Sequence, residues 1–171
     1  MARRSAERRA GRARGRWACA LLTGALACGY RFTANEPALP DGVRSVRAPL
    51  LVNRTFEPQA EAIFTQSLRE QLGRAGVLGG SASDGQIRGE ILSLSFDPVQ
   101  SGTLASYRLS ATAALHLERQ GKVLASTRVT GIEELLAGAG PLETDANRGA
   151  ALRRLADSMM RDGYERLRTG F

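Results

Sequence analysis

The chain of 171 residues contains few of the side chains that most often carry catalysis or bind cofactors. It has one histidine, two cysteines and one tryptophan, and aromatic residues make up 5% of it. Such numbers leave no room for the Cys and His clusters of zinc sites, and no Gly-x-Ser-x-Gly or His-Glu-x-x-His motif occurs. The histidine, His116, falls on the polar side of a predicted strand, and the neighbours Glu133 and Glu134 would point to opposite faces. We therefore expect no metal or other cofactor, and we predict that the protein is not an enzyme.

The apolar stretch near the N-terminus is too short to cross a membrane as a helix. Residues 17–27 are uncharged and mostly apolar, but they fall well short of the roughly 20 residues that a transmembrane helix needs. Seven arginines precede this stretch within residues 1–16. A basic segment followed by a short apolar segment predicts a secretory signal peptide over residues 1–27.

The end of this leader indicates lipid modification. Ala25-Leu26-Ala27-Cys28 ends in the small residue and cysteine of a bacterial lipobox, although alanine and leucine stand in the reverse of the usual order. We predict that cleavage after Ala27 leaves Cys28 as the lipid-modified first residue. The alternative is simple secretion, because Ala25-x-Ala27 also suits an ordinary signal peptidase. Cys28 would be the only cysteine of the mature chain, and a lone thiol in an oxidising compartment favours the lipid-modified form.

Removing the leader also removes most of the positive charge. The full chain has 24 basic and 17 acidic residues, a net charge of +7. Seven basic residues and one acidic residue, Glu7, lie in the leader, so the mature chain keeps 17 basic and 16 acidic residues and a net charge of +1. A nearly neutral chain with few aromatic residues does not suit a nucleic-acid partner, so we expect none.

The patterns of the mature part predict six elements in one domain. Residues 28–41 contain prolines and are predicted to form a lipidated N-terminus and tether, followed by an α+β domain over residues 42–171. Apolar residues recur at the spacing of strands or helices in the order β-α-β-β-β-α. The predicted elements are a strand at 43–52, a helix with Pro58 in its first turn, strands at 85–96, 104–118 and 122–135, and a helix for which Thr144 is the cap.

These elements predict a two-layer sandwich in which two helices pack on one face of a four-stranded sheet. Pro49 lacks a backbone donor, which favours an edge position for the first strand. The alternation changes phase at residues 91–92, which indicates a bulge, and Gln120-Gly121 indicates a tight turn between the last two strands. The other face of the hairpin is polar and is expected to stay open.

Cationic side chains on or near the predicted hairpin are the best candidates for binding. Arg108, Lys122 and Arg128 fall there, and guanidinium groups bind phosphate or carboxylate through two parallel hydrogen bonds. A cluster of such residues would suit an anionic glycolipid. The alternative is an ordinary solvated surface in which these cations pair with acids such as Glu90 and Glu118.

Short motifs in a fixed order resemble the LPS-assembly lipoprotein LptE family across nearly all of the mature chain. Each motif is common by itself, and the order and spacing together carry the resemblance. The matching segments are Cys28–Phe32 (CGYRF), Leu39–Gly42, Asn53–Pro58 (NRTFEP), Gly89–Ile91, Phe96–Val99 (FDPV), Tyr107–Leu109, Gly121–Leu124 (GKVL) and Thr144 onward.

This resemblance implies a lipid-anchored outer-membrane protein that faces the periplasm. Members of the family sit inside the β-barrel protein LptD, help it to assemble, and aid the insertion of lipopolysaccharide into the outer leaflet. A polar sheet face suits the polar lumen of a barrel, and Arg108, Lys122 and Arg128 become candidates for lipopolysaccharide contacts by their strand position. The alternative function is that of another periplasmic adaptor lipoprotein, such as an activator of a cell-wall synthase or a secretin pilot.

Overall fold

The computed structural model describes residues 39–101 and 104–170. It contains one sheet with two helices, as the sequence predicts, and the sheet is mixed. The elements are a 3-10 turn Pro40–Gly42, strands β1 Val46–Arg47 and β2 Val52–Asn53, helix α1 Ala60–Arg74, strands β3 Gly85–Ser101, β4 Leu104–Arg119 and β5 Lys122–Leu136, and helix α2 Pro141–Thr169. The signal peptide, Cys28 and the greater part of the tether lie outside the described residues.

The sheet has five strands in place of the four predicted. Strands β3, β4 and β5 form an antiparallel meander, while β1 and β2 both run parallel to β3 along the same edge. The predicted α+β architecture is confirmed, and the extra strand arises because the first predicted strand is divided into β1 and β2. Its predicted place at the edge of the sheet is confirmed as well.

The division of the first strand has a local cause at Pro49. This residue has no N–H to give to a ladder, and the chain around it turns its polar groups toward α1. The N–H of Leu51 donates to Oγ1 of Thr65 at 2.9 Å, and Nε of Arg69 donates to the carbonyl of Ala48 at 2.9 Å. Side chains of α1 thus satisfy backbone groups that a neighbouring strand would otherwise satisfy.

Two predicted irregularities of the strands are confirmed. The register of β3 against β4 shifts between Ile91 and Ser93, so Leu92 is the extra residue of a bulge. The turn between β4 and β5 has positive φ angles at Gln120 (51°) and Gly121 (80°), which suit a tight two-residue hairpin loop.

The predicted starts of both helices are wrong by a few residues. Helix α1 begins at Ala60 because Gln59 before it adopts a left-handed conformation with φ 66°, which leaves Pro58 outside the helix. Helix α2 begins at Pro141, whose fixed φ suits a first helical position. Thr144 therefore lies within the first turn, where its Oγ1 accepts from the N–H of Gly138 at 3.0 Å.

The core lies between the helices and one face of the sheet. Alternate residues of β4 from Leu109 to Leu117 are buried, and α2 packs closely over them. Gly163 of α2 permits this approach, because a Cβ there would stand 2.6 Å from Cδ1 of Leu115; a Cβ on Gly131 of β5 would stand 2.6 Å from Cγ of Met159. The core extends back to Leu39 (2% exposed), within the segment predicted as tether.

Among the described helices, none has the length and apolar character to cross a bilayer.

Candidate binding surfaces

Among the described residues, no helix or strand covers the face of the sheet opposite the helices, and this face is rich in hydroxyl groups. Neighbouring strands join these groups in pairs across the face. The hydroxyls of Ser95 and Ser110 lie 2.8 Å apart, and those of Thr112 and Thr130 lie 3.5 Å apart. This surface, the open face, carries hydroxyl pairs between its strands, and the apolar side chains of Ile132 and Leu136 on β5 are exposed beside them.

The three predicted glycolipid-binding cations are spread along the hairpin. Arg108 pairs with Glu134 of β5, with Nη2 to Oε1 at 2.9 Å. Arg128 stands opposite Ala114, six residues along β4 from Arg108, and Lys122 lies at the hairpin turn, six residues from Arg128. At about 3.3 Å per residue, each cation is roughly 20 Å from the next along the strands. The structure therefore brings no two of them together.

Acidic residues neutralise part of the charge on the open face. Nε of Arg54 lies 3.5 Å from Oε2 of Glu90, and Nη1 of Arg88 lies 4.0 Å from Oε2 of Glu118. Glu90 and Glu118, the acids that were expected to pair with the hairpin cations, thus pair with Arg54 and Arg88. Within the described part of the chain, neither Arg128 nor Lys122 has a carboxylate within 4.0 Å.

The single histidine lies on the open face, on β4 near the hairpin turn. Nδ1 of His116 and Oγ of Ser126 are hydrogen-bonded at 2.8 Å, and His116 stands opposite Arg88 of β3. In residues 39–101 and 104–170, no three side chains of the His, Cys, Asp and Glu types lie close enough together to hold a metal ion.

A second surface forms where the chain leaves β2, and Asn53 organises it. Oδ1 of Asn53 accepts hydrogen bonds from the backbone N–H and the hydroxyl of Thr55 at 2.9 and 2.8 Å. Its Nδ2 donates to the carbonyl of Glu57 at 2.8 Å and to Oε2 of Glu61 at 2.9 Å. The resulting turn holds the side chain of Phe56 entirely in solvent, where it is 105% exposed.

Arg148 of α2 connects this turn to the far end of the sheet. Its guanidinium forms an ion pair with Glu57 and lies over the ring of Phe96, 4.7 Å from the ring centre. Phe96 in turn stacks on Tyr107, with ring centres 4.5 Å apart and 12° between the planes. Nε of Arg148 is buried without a hydrogen-bond partner among the described residues.

A groove of about 440 Å³ lies between these groups. It is lined by residues 54–57, residues 92–94, Phe96 and Arg148. Sequence patterns do not reveal this groove, because its walls come from three segments that are distant in the chain. The exposed aromatic residue in the Asn53–Pro58 motif is the one local signal for it.

Two helices on one face of a mixed sheet define the class of this protein as a two-layer α+β domain. The sequence then specifies the family within that class. The model of the LptE family, described as lipopolysaccharide-assembly, matches residues 43–167. The chain therefore belongs to the LptE family of lipopolysaccharide-assembly proteins.

Solved structures share the fold at low sequence identity. A chain described as a lipoprotein from Caulobacter crescentus CB15 superposes with a TM-score of 0.53 at 15% identity, covering 70% of this chain and 88% of that one. CT253 from Chlamydia trachomatis superposes at 0.51 with 11% identity, covering 74% and 96%. PelC from Paraburkholderia phytofirmans, a dodecamer, superposes at 0.50 with 18% identity, covering 77% and 91%. None of the curated protein sequences matches this chain.

Proposed function

We propose that this chain is a non-enzymatic subunit of the lipopolysaccharide translocon at the outer membrane. In this proposal it sits as a plug in the lumen of the β-barrel LptD, helps that barrel to assemble, and aids insertion of lipopolysaccharide into the outer leaflet. The family match over residues 43–167 is the observation that carries the proposal. The open face supports it, because the water-filled lumen of a large barrel is polar and a plug has to present polar groups to it.

Recovery of the barrel partner tests this proposal. The tagged full chain would be purified from outer membranes in mild detergent, and a stable complex with a large β-barrel protein is expected. Recovery of the chain alone would refute the translocon role. Recovery of a cell-wall synthase or a secretin in place of the barrel would instead support the alternative of another periplasmic adaptor lipoprotein.

We further propose that residues 1–27 are removed and that Cys28 carries the lipid that anchors the protein to the periplasmic side of the outer membrane. Residues 28–41 would then lead from the anchor to the domain. Radioactive palmitate should label the wild-type chain and leave Cys28→Ala unlabelled. Equal absence of label from both chains would indicate a soluble periplasmic protein, cleaved after Ala27.

We also propose that the hairpin cations Arg108, Lys122 and Arg128 contact lipopolysaccharide. Arg128 and Lys122 are the stronger candidates, because Arg108 already pairs with Glu134. Replacing Arg108, Lys122 and Arg128 together by Ala should weaken lipopolysaccharide binding by on the order of tenfold or more, since charge-assisted contacts contribute about 1.5–3 kcal/mol each. Unchanged affinity would contradict this assignment.

A matched control separates a specific contact from a general loss of charge. The control removes three exposed cations from the helices and leaves the open face intact: Arg74, Arg153 and Arg161. It has the same change in net charge, so a similar loss of affinity in both variants would mean that only overall charge matters. Barrel recovery should be unaffected in the control.

A further inference from the structure

Strand β3 is longer than the strands beside it on its outer edge. Its parallel pairing with β2 covers Glu90 and Ile91, and the last contact is the N–H of Arg54 donating to the carbonyl of Ile91 at 3.0 Å. From Leu92 to Ser101, β3 is paired only with β4 among the described residues. We call the outer side of residues 92–98 the free edge. It borders the groove beside Phe56.

The pairing of Pro98 shows which backbone groups of the free edge point outward. Pro98 stands opposite Tyr107 and has no N–H. In an antiparallel ladder, hydrogen-bonded pairs alternate with non-hydrogen-bonded pairs, and proline suits the second kind. The pair Pro98–Tyr107 is therefore a non-hydrogen-bonded pair, and Asp97 and Val99 on either side of Pro98 make the hydrogen bonds to β4. Backbone direction alternates along a strand, and the register is regular from Ser93 onward. The N–H and C=O groups of Leu94 and Phe96 therefore point away from β4, into the groove.

The side chains around the free edge specify what an added strand would need. Apolar side chains form part of the groove, with Leu94 and Phe96 half-buried and Phe56 fully exposed. Alternate apolar side chains of an extended segment would therefore fill the groove. The guanidinium groups of Arg54 and Arg148 also line the groove, but each already pairs with a carboxylate, Arg54 with Glu90 and Arg148 with Glu57. The groove therefore offers an occupant main-chain groups and apolar side chains, with the charge of its two arginines neutralised.

We propose that an extended segment of the barrel partner adds to the free edge of β3 as a further strand. This segment would lie beside β3 in line with β2, beyond the point where β2 ends, and it would carry apolar residues at alternate positions. The unpaired main-chain groups of the free edge favour a peptide over a lipid. Their N–H and C=O groups repeat at the regular spacing of a strand, and only another peptide backbone has donors and acceptors at the same spacing. This inference rests on the proposed function for the identity of the partner.

Hydrogen exchange of single amides tests strand addition directly. It would be measured by mass spectrometry on the full chain in detergent and on its purified complex with the barrel. The amides of Leu94 and Phe96 should exchange rapidly in the chain alone and on the order of tenfold or more slowly in the complex. The amides of Ser95 and Asp97, which face β4, are the internal control and should be slow in both.

The possible outcomes of this experiment distinguish a failure of the proposed function from a failure of strand addition. If no barrel is recovered, the proposed function and this inference both fail. If the barrel is recovered and the amides of Leu94 and Phe96 exchange as in the chain alone, only the inference fails. Slow exchange at these two amides in the chain alone would mean that a segment of this chain already pairs with the free edge, and this result would also overturn the inference.

Two pairs of variants give an independent measurement. Leu94→Pro removes an outward N–H without removing a hydrogen bond to β4, and it should weaken barrel binding on the order of tenfold relative to Leu94→Ala. Phe56→Ala should weaken binding, while Leu142→Ala, at a side chain that is 88% exposed on α2, should not. If Leu94→Pro does not fold, the amide exchange of the native complex remains decisive. Weaker binding by Phe56→Ala with unprotected amides would indicate a lipid or a lone side chain in the groove, against strand addition.

Discussion

Thr65 is expected to stabilise the interruption between β1 and β2 through one buried hydroxyl group. This side chain is 1% exposed, accepts the hydrogen bond from the N–H of Leu51 at 2.9 Å, and donates to the carbonyl of Glu61 at 2.5 Å. In Thr65→Val the shape of the side chain is kept, but the N–H of Leu51 remains buried without an acceptor. An unsatisfied buried donor costs about 1–3 kcal/mol.

A small gain opposes that loss. The added methyl group of valine contributes less than about 1 kcal/mol of burial, and the carbonyl of Glu61 keeps its helical partner. We therefore expect Thr65→Val to lower the free energy of unfolding by about 1–2 kcal/mol, or the melting temperature by roughly 2–8 °C. Urea and thermal unfolding in a Cys28→Ala background, which keeps the chain free of lipid, would measure this change.

The matched control is Thr65→Ser, which keeps the hydroxyl group and loses one buried methyl group. It costs about 1 kcal/mol through packing alone, so stability by itself does not distinguish the two causes. Amide exchange does, because the N–H of Leu51 should lose its protection in Thr65→Val and keep it in Thr65→Ser. A valine variant with wild-type stability and a protected Leu51 amide would refute the reasoning.

Three further changes test the packing of α2. Arg148→Ala should lower the free energy of unfolding by about 1–2 kcal/mol in urea, because it removes a cation over an aromatic ring, whereas Arg153→Ala on the exposed side should change it by less than about 0.5 kcal/mol. Gly163→Ala should destabilise the protein despite the better helix propensity of alanine, because the new Cβ would clash with Leu115. In thermal melts this loss of stability should be smaller when Leu115→Ala is also present, and strictly additive effects of the two substitutions would contradict the clash. Burial raises the pKa of Tyr164 above its ordinary value near 10. The neutral hydroxyl therefore stabilises the folded state below pH 10, and this stabilisation is lost as the pH rises further. When unfolding is measured at pH 7 and pH 11, the wild type should lose stability between the two values by an amount that Tyr164→Phe does not lose.

Local patterns predicted the elements and the layers of this protein with little help from long-range contacts. The alternation from Leu109 to Leu117 separates a buried face from a polar one, and the change of phase at residues 91–92 marks the bulge. These features follow from the two-residue period of a strand, which the sequence shows directly. The polar face of the hairpin follows from the same alternation.

Other features depend on which segments meet in three dimensions. Thr65 completes the interrupted edge of the sheet, and Arg148 meets Glu57 and Phe96 across long distances in sequence. No periodicity encodes such meetings, because they result from the packing of α2 against the sheet. The sequence by itself thus determined the order of elements, the polar face and the family. Only the tertiary structure decided that the first strand divides, that the hairpin cations stand far apart, and that β3 keeps a free edge beside a groove, because each of these depends on contacts between distant segments.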